Sequence, residues 1–176
     1  MNSAQDIAAG FAELELACAC LRAIEALDPA RGELRRPELS GWSALEHVAH
    51  VALANELIVR NLHSLISGGG PLVQAAGEPA QGALNVLESG VIPRGQAQSP
   101  RMVRPPTRID RALLVDWLAT SEQGFGHFSG QIEIVARAPG RVPHQLLGPL
   151  TAAQWVRFAS IHTRHHLAIA EQVLAD

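Results

Sequence analysis

The sequence predicts an all-α protein, and more specifically a four-helix bundle. Four segments of roughly 20 to 25 residues repeat apolar side chains every three or four positions, which is the period of an amphipathic helix. Glycine and proline separate these segments, and no run of alternating polar and apolar residues is long enough to indicate a sheet. One long connection lies between the second and third segments, so a crossover between helices that are not neighbours fits the pattern.

The composition is that of an ordinary globular protein. Its 176 residues can bury a substantial core, so we treat residues 1–176 as a single domain. The apolar runs break before the roughly 20 residues that a membrane span needs, and residues 1–10 lack the features of a secretory signal. A net charge of −3 gives no general attraction for nucleic acid. We therefore expect a cytoplasmic protein whose partners are neither membranes nor nucleic acids.

The first two helices are predicted over residues 4–27 and 44–67. Asp28 and Pro29 end the first helix. Ser43 is the expected N-cap of the second helix, and Glu46 completes a capping box with it. One apolar stripe runs along the first helix: Ile7, Phe11, Leu14, Cys18 and Leu21.

The long connection runs from Gly68 to Thr107 and is rich in glycine, proline and glutamine, with one short helical turn predicted at residues 83–88. Connections of this length are uncommon in compact domains and are often functional. It has several arginines and no acidic residue between Glu88 and Asp110, so it could hold a carboxylate or phosphate, or it could be a solvated loop neutralised by acidic groups elsewhere. The candidate substrate-binding residues are Arg101, Arg104 and Arg108, with Arg94 and Arg111 on the same stretch.

The third and fourth helices occupy the rest of the chain. The third is predicted to begin near Asp110 and to end at Pro139, although it contains three glycines that weaken it: Gly124, Gly126 and Gly130. Thr151 is the expected N-cap of the fourth helix. One face of that helix carries Trp155, Phe158, His162, Ile169 and Val173.

The most specific local feature is the run of residues 162–166, His-Thr-Arg-His-His. His162 and His166 lie four positions apart, so they share one face of the helix. A buried imidazole needs a polar partner, and zinc, nickel, copper or iron(II) would supply one. A pair at this spacing is nevertheless more often a surface feature or a hydrogen-bonded core pair. Thr163 stands where the zinc metalloprotease motif has glutamate, which excludes that class.

Helix two offers further candidates. His47 and His50 lie three apart beside its apolar stripe, so either could supply a third ligand. Glu56 could orient a ligand or act as a base, or it could simply be solvated. His144, which precedes the last helix, could line the mouth of a site or cap a loop.

Residues 42–51, Trp-Ser-Ala-Leu-Glu-His-Val-Ala-His-Val, resemble the motif of the DinB/YfiT family. That motif places a metal-binding histidine eight residues after the tryptophan, which is His50 here. Residues 144–151, followed by Trp155 and the run 162–166, resemble the last loop and helix of the family. The resemblance therefore implies that His162 and His166 are the remaining ligands.

The resemblance also implies a bundle in up-down-down-up order, one divalent metal ion, nickel or zinc, and a homodimer. Relatives include enzymes that transfer low-molecular-weight thiols, isomerases that use such a thiol, and many proteins described as metal-dependent hydrolases. A three-histidine site leaves positions where water or a thiol can bind and lose a proton near neutral pH. We therefore expect a metalloenzyme that acts on a small molecule by hydrolysis or by S-transfer with a low-molecular-weight thiol. The alternatives are a non-catalytic or stress-associated metal-binding module and a helical dimerisation module without metal.

Overall fold

The computed structural model describes residues 3–95 and 98–175. Met1, Asn2 and Asp176 lie outside the described residues, as do Gln96 and Ala97 of the long connection. In chain order the elements are α1 (Ala4–Glu25), α2 (Pro29–Gly32), α3 (Ala44–Ser67), α4 (Gln81–Ser89), a 3₁₀ turn (Arg101–Val103), α5 (Arg111–Ser129), α6 (Ile132–Arg137), β1 (Val142–His144), β2 (Gly148–Leu150) and α7 (Ala152–Leu174). The chain is thus mostly helical, as expected.

The predicted starts of α3 and α7 are confirmed by their caps. The Ser43 hydroxyl accepts a hydrogen bond from the Glu46 amide at 3.2 Å, and the Glu46 carboxylate accepts one from the Ser43 amide at 2.7 Å. Thr151 and Gln154 form the same kind of capping box at the start of α7. Each box satisfies amide groups that the first helical turn leaves without a partner, so both long helices have well-defined starts.

The prediction of one continuous third helix is wrong, because α5 ends at Ser129 and α6 begins at Ile132. Gln131 between them has φ −129° and ψ 35°, which is not helical. Gly130, which was expected only to weaken the helix, lies at the break. Glycine has the lowest helix propensity of all residues except proline, so ending the helix there costs little free energy.

The expectation that no sheet is present is also wrong. Strands β1 and β2 pair antiparallel, with Val142 opposite Leu150 and His144 opposite Gly148. An isolated bridge between Gln74 and Arg141 joins the long connection to this hairpin. Strands of three residues are too short to produce a readable alternation of polar and apolar side chains.

The four long helices pack around the core. Helix α3 contacts both α5 and α7, and α1 contacts the same two helices. The α3–α7 interface also contains polar contacts, since the Asn55 side-chain amide donates to the Thr163 hydroxyl at 3.1 Å and both residues are buried. No helix in the described ranges has the length and apolarity needed to span a membrane.

Candidate metal centre

Three histidines from two helices come together at the α3–α7 interface. His50 lies on α3, and His162 and His166 lie on successive turns of α7. Their candidate ligand atoms all lie within 4.8 Å of one another. His50 is buried, and His162 and His166 are partly exposed as whole residues.

The spacing of the ring nitrogens suits a single ion. His50 Nε2 and His162 Nε2 lie 3.1 Å apart, and the His166 ring centre lies 4.5 Å from that of His50 and 4.7 Å from that of His162. Two nitrogens bound to one tetrahedral zinc ion at about 2.0 Å would be about 3.3 Å apart. The two Nε2 atoms therefore already have the separation of two ligands of one metal.

His50 is oriented by the long connection. Its Nδ1–H donates to the Val103 carbonyl at 2.7 Å, and the Ser99 hydroxyl lies 3.3 Å from the same nitrogen. A proton on Nδ1 leaves a lone pair on Nε2, which faces the other histidines. The 3₁₀ turn thus contributes to the site through a backbone carbonyl, which sequence reasoning missed because a carbonyl has no residue-type signal.

His47 lies behind His166 and outside the ligand group. Its side chain is buried, with Nδ1 3.0 Å from His166 Nδ1 and Nε2 2.8 Å from the Ser40 hydroxyl. The Trp42 ring covers this side of the site, with its centre 4.9 Å from that of His50 and 6.0 Å from that of His166. Of the two α3 candidates His47 and His50, the structure groups His50 with the α7 pair.

These histidines are uncharged at neutral pH. Burial, followed by repulsion from neighbouring histidines, lowers the pKa of His162 and His166 well below the usual value. Burial also lowers the pKa of His50 and brings the pKa of His47 to about 4. A metal ion binds imidazole only through an unprotonated nitrogen. The group can therefore bind a cation without first losing protons.

One unpaired atom supports the fit to a metal ion. Within the described part of the chain, the buried Nδ1 of His162 has no hydrogen-bond partner. If its proton is on Nδ1, a buried donor is unpaired and two Nε2 lone pairs oppose each other. If the proton is on Nε2, Nδ1 is a buried acceptor without a partner. Both states therefore cost free energy. A cation between the Nε2 atoms would convert the opposing lone pairs into ligands, so the residues present could hold a divalent metal ion.

The remaining histidine candidates lie around the group. His144 Nδ1 accepts hydrogen bonds from the amides of Leu146 and Leu147 at 3.2 and 3.1 Å, so it caps the β1–β2 turn. Burial lowers the pKa of His144 to about 4. His165 packs its ring at right angles to that of His166, with the ring centres 5.0 Å apart. Neither residue belongs to the ligand group.

The acidic candidate, Glu56, makes a different contact. It forms an ion pair with Arg60, one turn further along α3. Its carboxylate is not part of the ligand group. The contacts of Glu56 are therefore those of a residue that pairs along its own helix.

Three arginines of the long connection differ from most other described arginines in their ion pairing. Arg101, Arg104 and Arg108 are exposed, and none has a carboxylate partner among the described residues. Among the described residues, Arg104 donates to the Ser99 carbonyl alone, at 3.4 Å. Arg111, in contrast, donates to the Glu25 carbonyl and thus ties the start of α5 to the end of α1.

Comparison with known proteins supports the family suggested by these features. Residues 19–170 match the family model of the DinB superfamily. This range contains all three histidines of the group, the whole of α3 and α7 as far as residue 170. Searches of curated proteins and of solved structures found no match. Because the family model matches well over half of the chain, the protein belongs to the DinB superfamily.

Proposed function

We propose that the protein is a metalloenzyme that binds one divalent ion, zinc or nickel, through His50, His162 and His166. It acts on a small molecule by hydrolysis or by S-transfer with a low-molecular-weight thiol. The observation that carries the proposal is the grouping of three uncharged imidazoles around one point. Such an ion supplies Lewis acidity, which lowers the pKa of a water or thiol at an open position.

The surrounding residues support a site that exchanges ligands. Three protein ligands leave at least one position open, which is the pattern of catalytic rather than structural zinc sites. His162 and His166 are partly exposed as whole residues, and a small molecule would approach from their side. No carboxylate among the described residues joins the group, so its ligands are all neutral. A divalent ion with neutral ligands keeps its positive charge, which favours an anionic ligand such as a thiolate.

We extend the proposal to substrate recognition by Arg101, Arg104 and Arg108, which would bind a carboxylate or phosphate of the substrate or of the thiol. The 3₁₀ turn that carries Arg101 is anchored to the site, because the Val103 carbonyl accepts the His50 hydrogen bond. Because no carboxylate of the described residues pairs with them, these guanidinium groups are available to an anion. Arg94 adds positive charge nearby, since its charge helps to lower the pKa of His47 and His165.

We also propose the up-down-down-up order for the four long helices. Three sets of contacts support it. Between α3 and α7, residue 47 lies against 166 and residue 50 against 162. Between α3 and α5, residue 59 lies against 124 and residue 63 against 127, and between α1 and α7, residue 10 lies against 156 and residue 13 against 160. The first set runs in opposite directions along α3 and α7. The other two run in the same direction, along α3 with α5 and along α1 with α7. This is the pattern that the proposed order requires.

Elemental analysis of protein purified without a histidine tag tests the metal site. We expect close to one zinc or nickel ion per chain in the native protein and almost none in His162→Ala or in the double variant His50→Ala with His166→Ala. The matched control is His63→Ala, which changes an exposed histidine of α3 outside the group. A native protein that stays metal-free after reconstitution, or variants that keep their metal, would contradict the proposal.

A thiol titration of the cobalt-substituted protein separates an enzyme from a closed metal-binding module. In the proposed enzyme, 2-mercaptoethanol reaches the open position and changes the visible spectrum of the cobalt site. A spectrum that does not respond indicates a fourth protein ligand, and the non-catalytic module would then be the correct function.

The arginine proposal predicts selective loss of anion binding. In the double variant Arg101→Gln with Arg104→Gln, we expect the metal-loaded protein to bind mercaptosuccinate at least about 100-fold more weakly, because two hydrogen bonds to charged groups, at about 1.5 to 3 kcal/mol each, would be lost. Binding of uncharged 2-mercaptoethanol should not change. The control is Arg137→Gln, since that exposed arginine pairs with Glu133 on α6. Equal weakening of both thiols would contradict a role in recognising the anion.

The homodimer, the cytoplasmic location and the single domain stay predictions. Light scattering during size-exclusion chromatography tests the first of them. A mass near twice 18.8 kDa would support a dimer, and a mass of 18.8 kDa would contradict it.

A further inference from the structure

A row of hydrogen-bonding groups leads away from the metal group through His166. His166 Nδ1 lies 3.0 Å from His47 Nδ1, and His47 Nε2 lies 2.8 Å from the Ser40 hydroxyl oxygen. The Trp42 amide donates to the same oxygen at 3.1 Å. The His47 side chain is only 3% exposed, so its ring nitrogens depend on these two partners rather than on water.

Two arrangements of protons satisfy this row, and they have opposite consequences for His166. In the first, His166 Nδ1–H donates to His47 Nδ1, and His47 Nε2–H donates to Ser40. His166 Nε2 then carries a lone pair. In the second, Ser40 donates to His47 Nε2, and His47 Nδ1–H donates to His166, which must carry its proton on Nε2. Only the first arrangement allows His166 Nε2 to bind a cation.

We infer that Ser40 and His47 are positioning residues that hold His166 with Nε2 directed into the ligand group, an inference that rests on the proposed metal site. A bound cation makes the remaining N–H of an imidazole a stronger donor, and an acceptor placed on that N–H fixes both the tautomer and the ring orientation. His47 Nδ1 supplies that acceptor for His166, as the Val103 carbonyl does for His50.

The two acceptors also share a chemical property, because both are neutral. A metal-binding histidine often donates to a carboxylate, which would reduce the positive charge of the site. A neutral imidazole and a backbone carbonyl fix the rings without adding negative charge. The row is therefore consistent with a site that keeps its affinity for an anionic ligand.

Variants of His47 separate positioning from simple packing. We expect His47→Leu, which has no acceptor, to weaken zinc binding about 10- to 100-fold, as is typical when the outer partner of a ligand is removed. His47→Asn should restore most of the affinity, because its amide oxygen lies close to the position of Nδ1. The measurement is competition for zinc against a chromophoric chelator, on protein shown by circular dichroism to be folded without metal.

Variants of Ser40 give a second test that disturbs the core less, since Ser40 is partly exposed. Ser40→Ala removes the acceptor for His47 Nε2–H and should weaken zinc binding several-fold, whereas Ser40→Thr keeps the hydroxyl and should not. If His47→Leu does not fold, this pair decides the matter. A ¹⁵N-histidine spectrum of the zinc-loaded protein should show the proton of His166 on Nδ1.

The outcomes distinguish this inference from the proposed function. If zinc binds to the wild type and depends on His50, but folded His47→Leu and Ser40→Ala bind it equally well, the positioning role is overturned and the metal site stands. A spectrum in which His166 binds zinc through Nδ1 also overturns it. If the wild type binds neither zinc nor nickel, both the metal site and the positioning role fail.

Discussion

Each histidine of the candidate metal centre has a different set of neighbours, and these neighbours decide what its ring nitrogens can do. His50 directs one nitrogen at the Val103 carbonyl, and His166 directs one at a ring nitrogen of His47. His162 has no such partner for Nδ1 within the described residues and is placed by packing, with the Phe158 ring centre 5.3 Å away. The groups that contact the three histidines therefore come from separate segments of the chain.

The burial of His144 predicts that the free energy of unfolding depends on pH. Burial lowers the pKa of His144 to about 4 in the folded protein, whereas a histidine in the unfolded chain titrates near 6.5. Between these values the unfolded state binds more protons, so the free energy of unfolding falls as the pH drops from about 6.5 to about 4. His144→Asn keeps an acceptor for the Leu146 and Leu147 amides but cannot take up a proton.

Urea denaturation at pH 7 and pH 5 measures this effect. The midpoint of His144→Asn should fall less between the two pH values than that of the wild type. Buried histidines elsewhere continue to contribute in both proteins. An equal fall in the two proteins would show that His144 does not contribute to acid destabilisation.

At the scale of the elements, the glycines of α5 have different roles. A Cβ atom at Gly124 would lie 2.7 Å from Cγ2 of Val59 and closer still to its Cγ1, whereas one at Gly126 would meet nothing within 4 Å. Gly124 therefore allows α5 to approach α3 closely, a role that helix propensity alone does not reveal.

The two glycines form a matched pair for mutation. Gly124→Ala should destabilise the protein, because overpacking costs about 1 to 3 kcal/mol and outweighs the gain in helix propensity. Gly126→Ala should stabilise it by up to about 1 kcal/mol, since only the propensity changes. Urea denaturation of both variants measures the difference. A Gly124→Ala variant as stable as Gly126→Ala would contradict the close packing of the two helices.

For the whole molecule, the three histidines of the candidate metal centre connect α3 to α7. A ligand that binds only the folded state stabilises it, and zinc at 100 times its dissociation constant would add about 2.7 kcal/mol. For a protein of this size we expect the melting temperature to rise by about 5 to 10 °C. A chelator should lower it again.

Variants identify the source of that rise. His50→Ala should melt at the same temperature with and without zinc, whereas the exposed control His63→Ala should behave like the wild type. Differential scanning calorimetry measures both. If neither zinc nor nickel changes the melting temperature of the wild type, the histidines are hydrogen-bonded groups of the core, and the helical module without metal is the better description.

Helix bounds and caps were readable from the sequence because they depend on residues close together in the chain. The predicted range of α3 is confirmed at both ends, and the spacing of His162 and His166 places them on one face of α7. The break at Gln131 and the β1–β2 hairpin were not predicted, since a few residues leave no period to read.

The composition of the site depended instead on how the helices pack. Local spacing leaves His47 and His50 equivalent, and the family motif favours His50, but only the register of α3 against α7 puts His50 in the ligand group and His47 behind His166. Val103 acts through its backbone carbonyl and Ser40 through a single hydroxyl, so neither has a sequence pattern. Residue type and period determine which face of a helix a side chain occupies, whereas distances between helices arise only when their faces interdigitate in the folded core.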